Sequence, residues 1–188
     1  MPGWLDWLTW LLWPLFALSM ALVLFYTFST LANLVASPFN SLLAEQVEHH
    51  LTGQAVAGTV SLWGVIRSIG PALRSELRKL WYFLVRAVPI LILLLIPGLQ
   101  IMALPLWLLL GAWMLAIEYT DYPMGHHNLL FAEQRRILRK NRMLSLGFGI
   151  TVMGMTLIPV VNFITMPVAV CGATALWVER LRDQTQRH

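Results

Sequence analysis

The chain has 188 residues, of which 58% are hydrophobic and only 12% charged, with nine Trp. Soluble domains carry about 25% charged residues, so this composition argues against an ordinary soluble globule and points to a membrane protein. The net charge of +4 fits orientation in a bilayer and contact with anionic membrane lipid; nucleic acid is not an expected partner. The single Cys171 excludes an intramolecular disulfide and a Cys-based metal cluster.

Met1-Pro2-Gly3-Trp4 lacks the basic region of a signal peptide, and none is expected. Trp4, Trp7, Trp10 and Trp13 then head an apolar run, a placement that suits the headgroup level. Leu11 to Val35 supplies one full crossing, since a bilayer core takes roughly 20 apolar residues. Ser37-Pro38 is expected to break it, with Ser37 capping a new helix that has Pro38 in its first turn. Across residues 39–51, Phe39, Leu42, Leu43, Val47 and Leu51 mark one apolar face, and Glu45, Glu48 and His49 mark the other. Adjacent His49 and His50 do not converge on a helix, so no metal is expected there. Leu51-Thr52-Gly53 reads as a stop.

A long basic helix starts near Val56 or Ser61. Its apolar stripe is Trp63, Ile66, Ile69, Leu73, Leu77, Leu80 and Leu84; Arg67, Arg74, Arg78 and Lys79 lie outside that stripe. Gly70-Pro71 is a place for a kink or a division. Charge density sets this section outside the hydrocarbon, with Arg86 snorkelling before Val88 goes deeper.

Two apolar pieces follow, Val88 to Ile96 and Ile101 to Ile117, separated by Pro97-Gly98-Leu99-Gln100. The first is too short to cross alone, so the pair reads as a hairpin that enters and leaves on one side. Irregular backbone at depth is tolerated only against protein or water, which makes Gln100 a candidate pathway residue. The second limb ends at Glu118, where charge returns. Glu118, Tyr119, Asp121, His126 and Asn128 form a polar junction and are candidates for the pathway or its architecture. The densest basic block follows, with Arg135, Arg136, Arg139 and Lys140 as a candidate anion funnel on the cytoplasmic face.

Met143 to Ile158 and Val161 to Val178 flank Pro159 as a second Pro-interrupted pair, with Asn162 near its turn as a further pathway candidate. Ala169 and Ala173 have small-xxx-small spacing for close helix contact. The fold class expected is thus an all-α integral membrane protein: long helices plus two Pro-interrupted, re-entrant helical hairpins. Basic groups at 67–86, 135–142 and 180–187 all prefer the cytoplasm. Two re-entrant pairs satisfy that; two fully crossing pairs satisfy it as well. No paired carboxylate set, zinc motif, phosphate loop or nucleophile triad is present. No catalytic residue, enzyme activity, metal or cofactor is therefore expected.

The run Ala32-Asn33-Leu34-Val35-Ala36-Ser37-Pro38-Phe39-Asn40-Ser41-Leu42-Leu43-Ala44-Glu45, with Leu51-Thr52-Gly53 after it, resembles the CysZ sulfate permease family. So does Glu118-Tyr119-Thr120-Asp121-Tyr122-Pro123-Met124-Gly125-His126-His127, followed by Phe131. The resemblance covers nearly the whole chain. It implies a sulfate permease or channel, without an ATPase domain, in the bacterial inner membrane. It further implies a multi-pass homo-oligomer whose sulfate uptake feeds assimilation and cysteine synthesis. Family members usually begin with a further membrane helix and carry a Gly-Leu-Arg sulfate-binding motif near it. The resemblance therefore implies one membrane domain over residues 1–188 that lacks the family's first helix, with the sulfate-binding residues unassigned. A membrane scaffold or assembly protein is the alternative from composition.

Overall fold

The computed structural model describes residues 6–54 and 62–182, and every element among them is helical. In chain order these are α1 (Asp6–Thr52), α2 (Leu62–Leu95), α3 (Gln100–His126), α4 (Phe131–Lys140), α5 (Arg142–Thr156) and α6 (Pro159–Leu176). A π-helical turn, Trp177–Leu181, extends α6. The all-α expectation holds, and α3 and α6 with its π-turn are long and apolar enough to cross a membrane. The expected helix start near Val56 or Ser61 lies outside the described residues.

The chain divides between Phe39 and Asn40 into two compact units. The first carries the apolar run of α1, where Leu12–Phe28 is exposed throughout. Its hydroxyls turn inward along their own helix: Ser19 donates to Leu15 O at 2.8 Å and Thr27 to Val23 O at 2.7 Å. Such bonds to the preceding turn hide a hydroxyl from an apolar surrounding.

The expected break at Ser37-Pro38 does not occur, because α1 runs through both Pro14 and Pro38. A proline removes a single backbone donor, and in an apolar medium opening the helix would expose several more. α2 likewise stays one helix through Gly70-Pro71 and Pro89. The stop at Gly53 is as expected: its φ is +68°, and its N–H bonds His49 O at 2.8 Å.

In the second unit α3 is the central helix, packed against α2, α4, α5, α6 and the π-turn. The turn between α2 and α3 falls at Pro97-Gly98, with Gly98 at φ +89°. The second limb, however, does not end at Ile117. α3 continues to His126 and carries Glu118, Asp121 and Pro123 inside it. Buried packing on both sides supports this extension: Ile117 and Met124 lie in one core cluster and Tyr119 in another. The helix closes through His127 N–H to Met124 O at 3.1 Å and Asn128 N–H to Gly125 O at 3.0 Å. Asn128, at φ +57°, takes the left-handed position that ends the helix.

Pro159 stands at the start of α6, where a missing N–H costs nothing. Ala169 and Ala173 are buried, as their spacing predicts. The helices α3 and α5 approach closely at Ala112 and Gly149. A Cβ added at Gly149 would stand 2.7 Å from the Ala112 carbonyl carbon.

The apolar stripes read from the sequence are largely exposed, and single polar residues of α1 and α2 are buried. Phe39, Leu42 and Leu51 are exposed, whereas Asn40, Ala44 and Glu48, on one side of the helix, are buried. On α2, Leu77, Leu80 and Leu84 are exposed, while Lys79, Tyr82 and Ala87 are buried. Polar groups such as Glu48 and Lys79 gain by meeting charged or hydrogen-bonding partners inside the protein.

Candidate functional site

Polar groups converge where the C-terminal third of α3 meets α1, α2, α4 and the π-turn. Three linked contacts build this region. The first centres on Asp121. Lys79 of α2, only 6% exposed, forms an ion pair with Asp121 Oδ2 and a second with Glu76 at 2.8 Å. Gln134 of α4, fully buried, donates to Asp121 Oδ1 and to Leu129 O at 3.0 Å. One carboxylate thus fastens α2 and α4 to α3. Lys79 lies in the charged first half of α2, outside the apolar run. Burial alone would lower its pKa; the field and hydrogen bond of Asp121, with help from Glu76, outweigh that and hold the ammonium well above the usual lysine range.

The second contact joins α3 to α1 through two adjacent histidines. His126 Nε2 is 2.8 Å from Ser41 Oγ. His127 Nε2 is 2.7 Å from Glu48 Oε1. Ser41 and Glu48 are two turns apart on α1, so the end of α3 grips α1 at two levels. Asn40 adds Nδ2 hydrogen bonds to Tyr122 Oη at 3.4 Å and Met166 Sδ at 3.1 Å. The third contact is aromatic. Trp177 of the π-turn packs its ring 5.4 Å from that of His127, and Arg182 Nη1 stands 3.9 Å from Glu48 Oε1.

Four buried side-chain atoms among the described residues lack a hydrogen-bond partner: Glu48 Oε2, His126 Nδ1, Gln134 Oε1 and Trp177 Nε1. All four belong to this same region. Beside it, Tyr82 gathers cations. Arg86 lies over its ring at 3.5 Å and Arg135 at 5.3 Å, and its hydroxyl accepts from Trp113 Nε1 at 2.9 Å. Arg86 is exposed and stacks on this ring.

The sequence candidates fall into three groups. Asp121 and His126 sit in the convergent region, and Tyr119 packs beside it with Ala44, Val152 and Ala169. Glu118 is exposed, and its charge acts on Lys79 through space. Asn128 is exposed in the α3–α4 loop. Arg135, Arg136, Arg139 and Lys140 are brought together with Ala132 around an open cleft of about 450 Å³. Gln100 and Asn162 lie apart from both groups. Gln100 Nε2 donates to Leu94 O at 3.1 Å and ties the α2–α3 turn, while Asn162 is exposed in the first turn of α6. Sequence reasoning missed Glu48, Lys79, Gln134, His127 and Arg182 as members of the region. The signal for Glu48 was its place on one row with Asn40 and Ala44, at four-residue spacing on α1.

Comparison with known proteins gives consistent matches. Residues 1–167 match the family model described as Sulfate transporter CysZ/Etoposide-induced protein 2.4. The chain is 47% identical over 184 residues to a sulfate transporter CysZ of Pectobacterium atrosepticum, covering 97% of this chain and 66% of that protein. It is 48% identical over 160 residues to a sulfate transporter CysZ of Vibrio cholerae serotype O1, covering 85% of this chain and 64% of that protein. The chain therefore spans just under two thirds of the length of these curated relatives.

Proposed function

The chain belongs to the Sulfate transporter CysZ/Etoposide-induced protein 2.4 family, and from that premise we propose that it forms the membrane core of a sulfate permease or channel. The family match over residues 1–167 carries this reading. In it, the protein is a multi-pass, homo-oligomeric protein of the bacterial inner membrane. It admits sulfate for assimilation and cysteine synthesis.

The physical requirements of sulfate passage agree with the arrangement of charge. A dianion is costly to desolvate, so a passive route needs polar groups in a wet path and binding weak enough to allow exit. The cleft of Arg135, Arg136, Arg139 and Lys140 raises the local anion concentration at the mouth. Next to it, the Lys79–Asp121–Gln134 contact fixes α2 and α4 on α3. Asp121 and Glu118 are poor direct ligands because a carboxylate repels sulfate; their role is architectural. In this reading the α2–α3 and α5–α6 pairs are re-entrant, and lipid covers the exposed apolar residues of α2 from Val88 to Leu95.

Sulfate flux into liposomes containing the purified protein tests the proposal. Flux above that of empty liposomes is expected; its absence from correctly oriented, folded protein overturns the reading. Replacing Arg135, Arg136 and Arg139 together by Gln is expected to lower flux several-fold at low salt and much less at high salt, where screening shortens the reach of the funnel to about 3–10 Å. Equal flux at matched protein level would remove the funnel from the mechanism.

A further inference from the structure

Glu48 is the only buried carboxylate among the described residues, at 2% exposure. A buried carboxylate ordinarily gathers donors on both oxygens. Here Oε1 takes His127 Nε2 at 2.7 Å, with Arg182 Nη1 at a loose 3.9 Å, and Oε2 takes nothing. The complementary deficit lies in the same cluster. Trp177 packs on His127, and its indole N–H is buried without an acceptor. The cluster thus holds an acceptor without a donor and a donor without an acceptor. One carboxylate does not satisfy three donors projecting from the end of α3, the π-turn and the residue that follows it.

A tetrahedral oxyanion has the geometry that a planar carboxylate lacks. Its four oxygens accept from an imidazole, a guanidinium and an indole N–H at once. The route in is open on the donor side. His127 and Arg182 side chains are 30% and 27% exposed, while Glu48 lies behind them. We propose that His127, Arg182 and Trp177 form a binding site for a tetrahedral divalent oxyanion, and that Glu48 is its built-in occupant, displaced when the oxyanion binds. A dianion outcompetes the single charge of Glu48 for the Arg182 guanidinium, whereas a monovalent anion does not. Displacement also releases one contact between the end of α3 and α1 and leaves the Ser41–His126 and Asn40–Tyr122 contacts in place. The choice of sulfate as ligand rests on the transport reading above.

The test is equilibrium binding of radiolabelled sulfate to the purified full chain in detergent. Removing a competing charge about 4 Å from the ligand is worth roughly five- to tenfold in affinity where the site is open to water and the dielectric is close to that of bulk water. Glu48→Gln is therefore expected to bind sulfate five- to tenfold more tightly, with nitrate failing to compete. Arg182→Gln is expected to weaken binding at least fivefold, and Trp177→Phe about threefold. If Glu48→Gln does not fold, Glu48→Asp keeps the charge but shortens the reach, and it too is expected to bind more tightly than the parent. Unchanged or weaker binding in a folded Glu48 variant overturns the proposal, as does parent-like binding by Arg182→Gln. Sulfate flux by the parent with no affinity change in these variants defeats this inference alone. Tighter binding by Glu48→Gln without flux in the parent defeats the transport reading alone.

Discussion

The two ends of α3 are held by opposite means. Near Gln100, Ile101 is 83% exposed and Leu104 is exposed beside it; across the bundle, Val160 and Phe163 of α6 are likewise exposed and apolar. The buried residue nearest that end is the small Ala103, and toward the middle of α3 Ala112 meets Gly149, which lets the backbones approach. Near His126 the contacts are polar, directional and partnered across four elements: Lys79–Asp121, Gln134–Asp121, Ser41–His126 and Glu48–His127. In a medium with no water to hide from, apolar side chains gain little by meeting each other, and position is set by close backbone contact or by buried charge.

That contrast is open to direct attack. The largest effect is expected at the polar end. Lys79→Met leaves Asp121 without its counter-charge and should cost about 3 kcal/mol in thermal unfolding in detergent. Lys79→Met combined with Asp121→Leu should recover most of that loss, because a paired removal leaves no lone charge. A double variant no better than the single one would mean that the charges do not act as a pair. The pH dependence follows from the sign of the shift. The folded pKa of Lys79 is raised, so its stabilisation is complete below the unfolded lysine value of about 10.4 and is lost only above it. The difference between the parent and Lys79→Met should stay constant from about pH 6 to pH 9. A change within that window would reveal another titrating partner.

At the packed middle, Gly149→Ala drives a methyl into the Ala112 backbone and should cost about 2 kcal/mol. At the turn, Gly98→Ala meets no neighbouring atom but inherits φ +89°, so backbone strain of about 1 kcal/mol is expected. Both are measurable by the same unfolding assay. The smallest effect belongs to the apolar exterior: Phe163→Leu, at a position 90% exposed, should change stability by less than about 0.5 kcal/mol. A larger loss would show that Phe163 is covered by protein, as a homo-oligomer would do.

Much of the helix plan was readable from residue order. Pro97-Gly98, Gly53 and Pro159 mark real ends because each either permits a positive φ or lacks a donor where none is needed. Pro38 and Pro89 look the same on paper and end nothing. A lone proline costs one hydrogen bond, and only the surroundings decide whether that is cheaper than opening the helix. The candidate site was legible in part. Asp121 and His126 stand in a charged run after a long apolar one, which is visible in sequence, and the Arg135 to Lys140 block is visible as charge density.

The burial of Glu48 and Lys79 was not legible, because a 3.6-residue period shows that two faces differ without saying which one is inside. Sequence alone determined that the chain is helical, apolar and punctuated at particular prolines and glycines, since those properties are local to a residue and its neighbours. Only the tertiary structure decided that Glu48 of α1 and Lys79 of α2 are buried, that Asp121 fastens three helices, and that two adjacent histidines reach residues some 80 positions earlier. Those outcomes depend on which groups lie across a contact, and a buried charge takes its partner from space rather than from the chain.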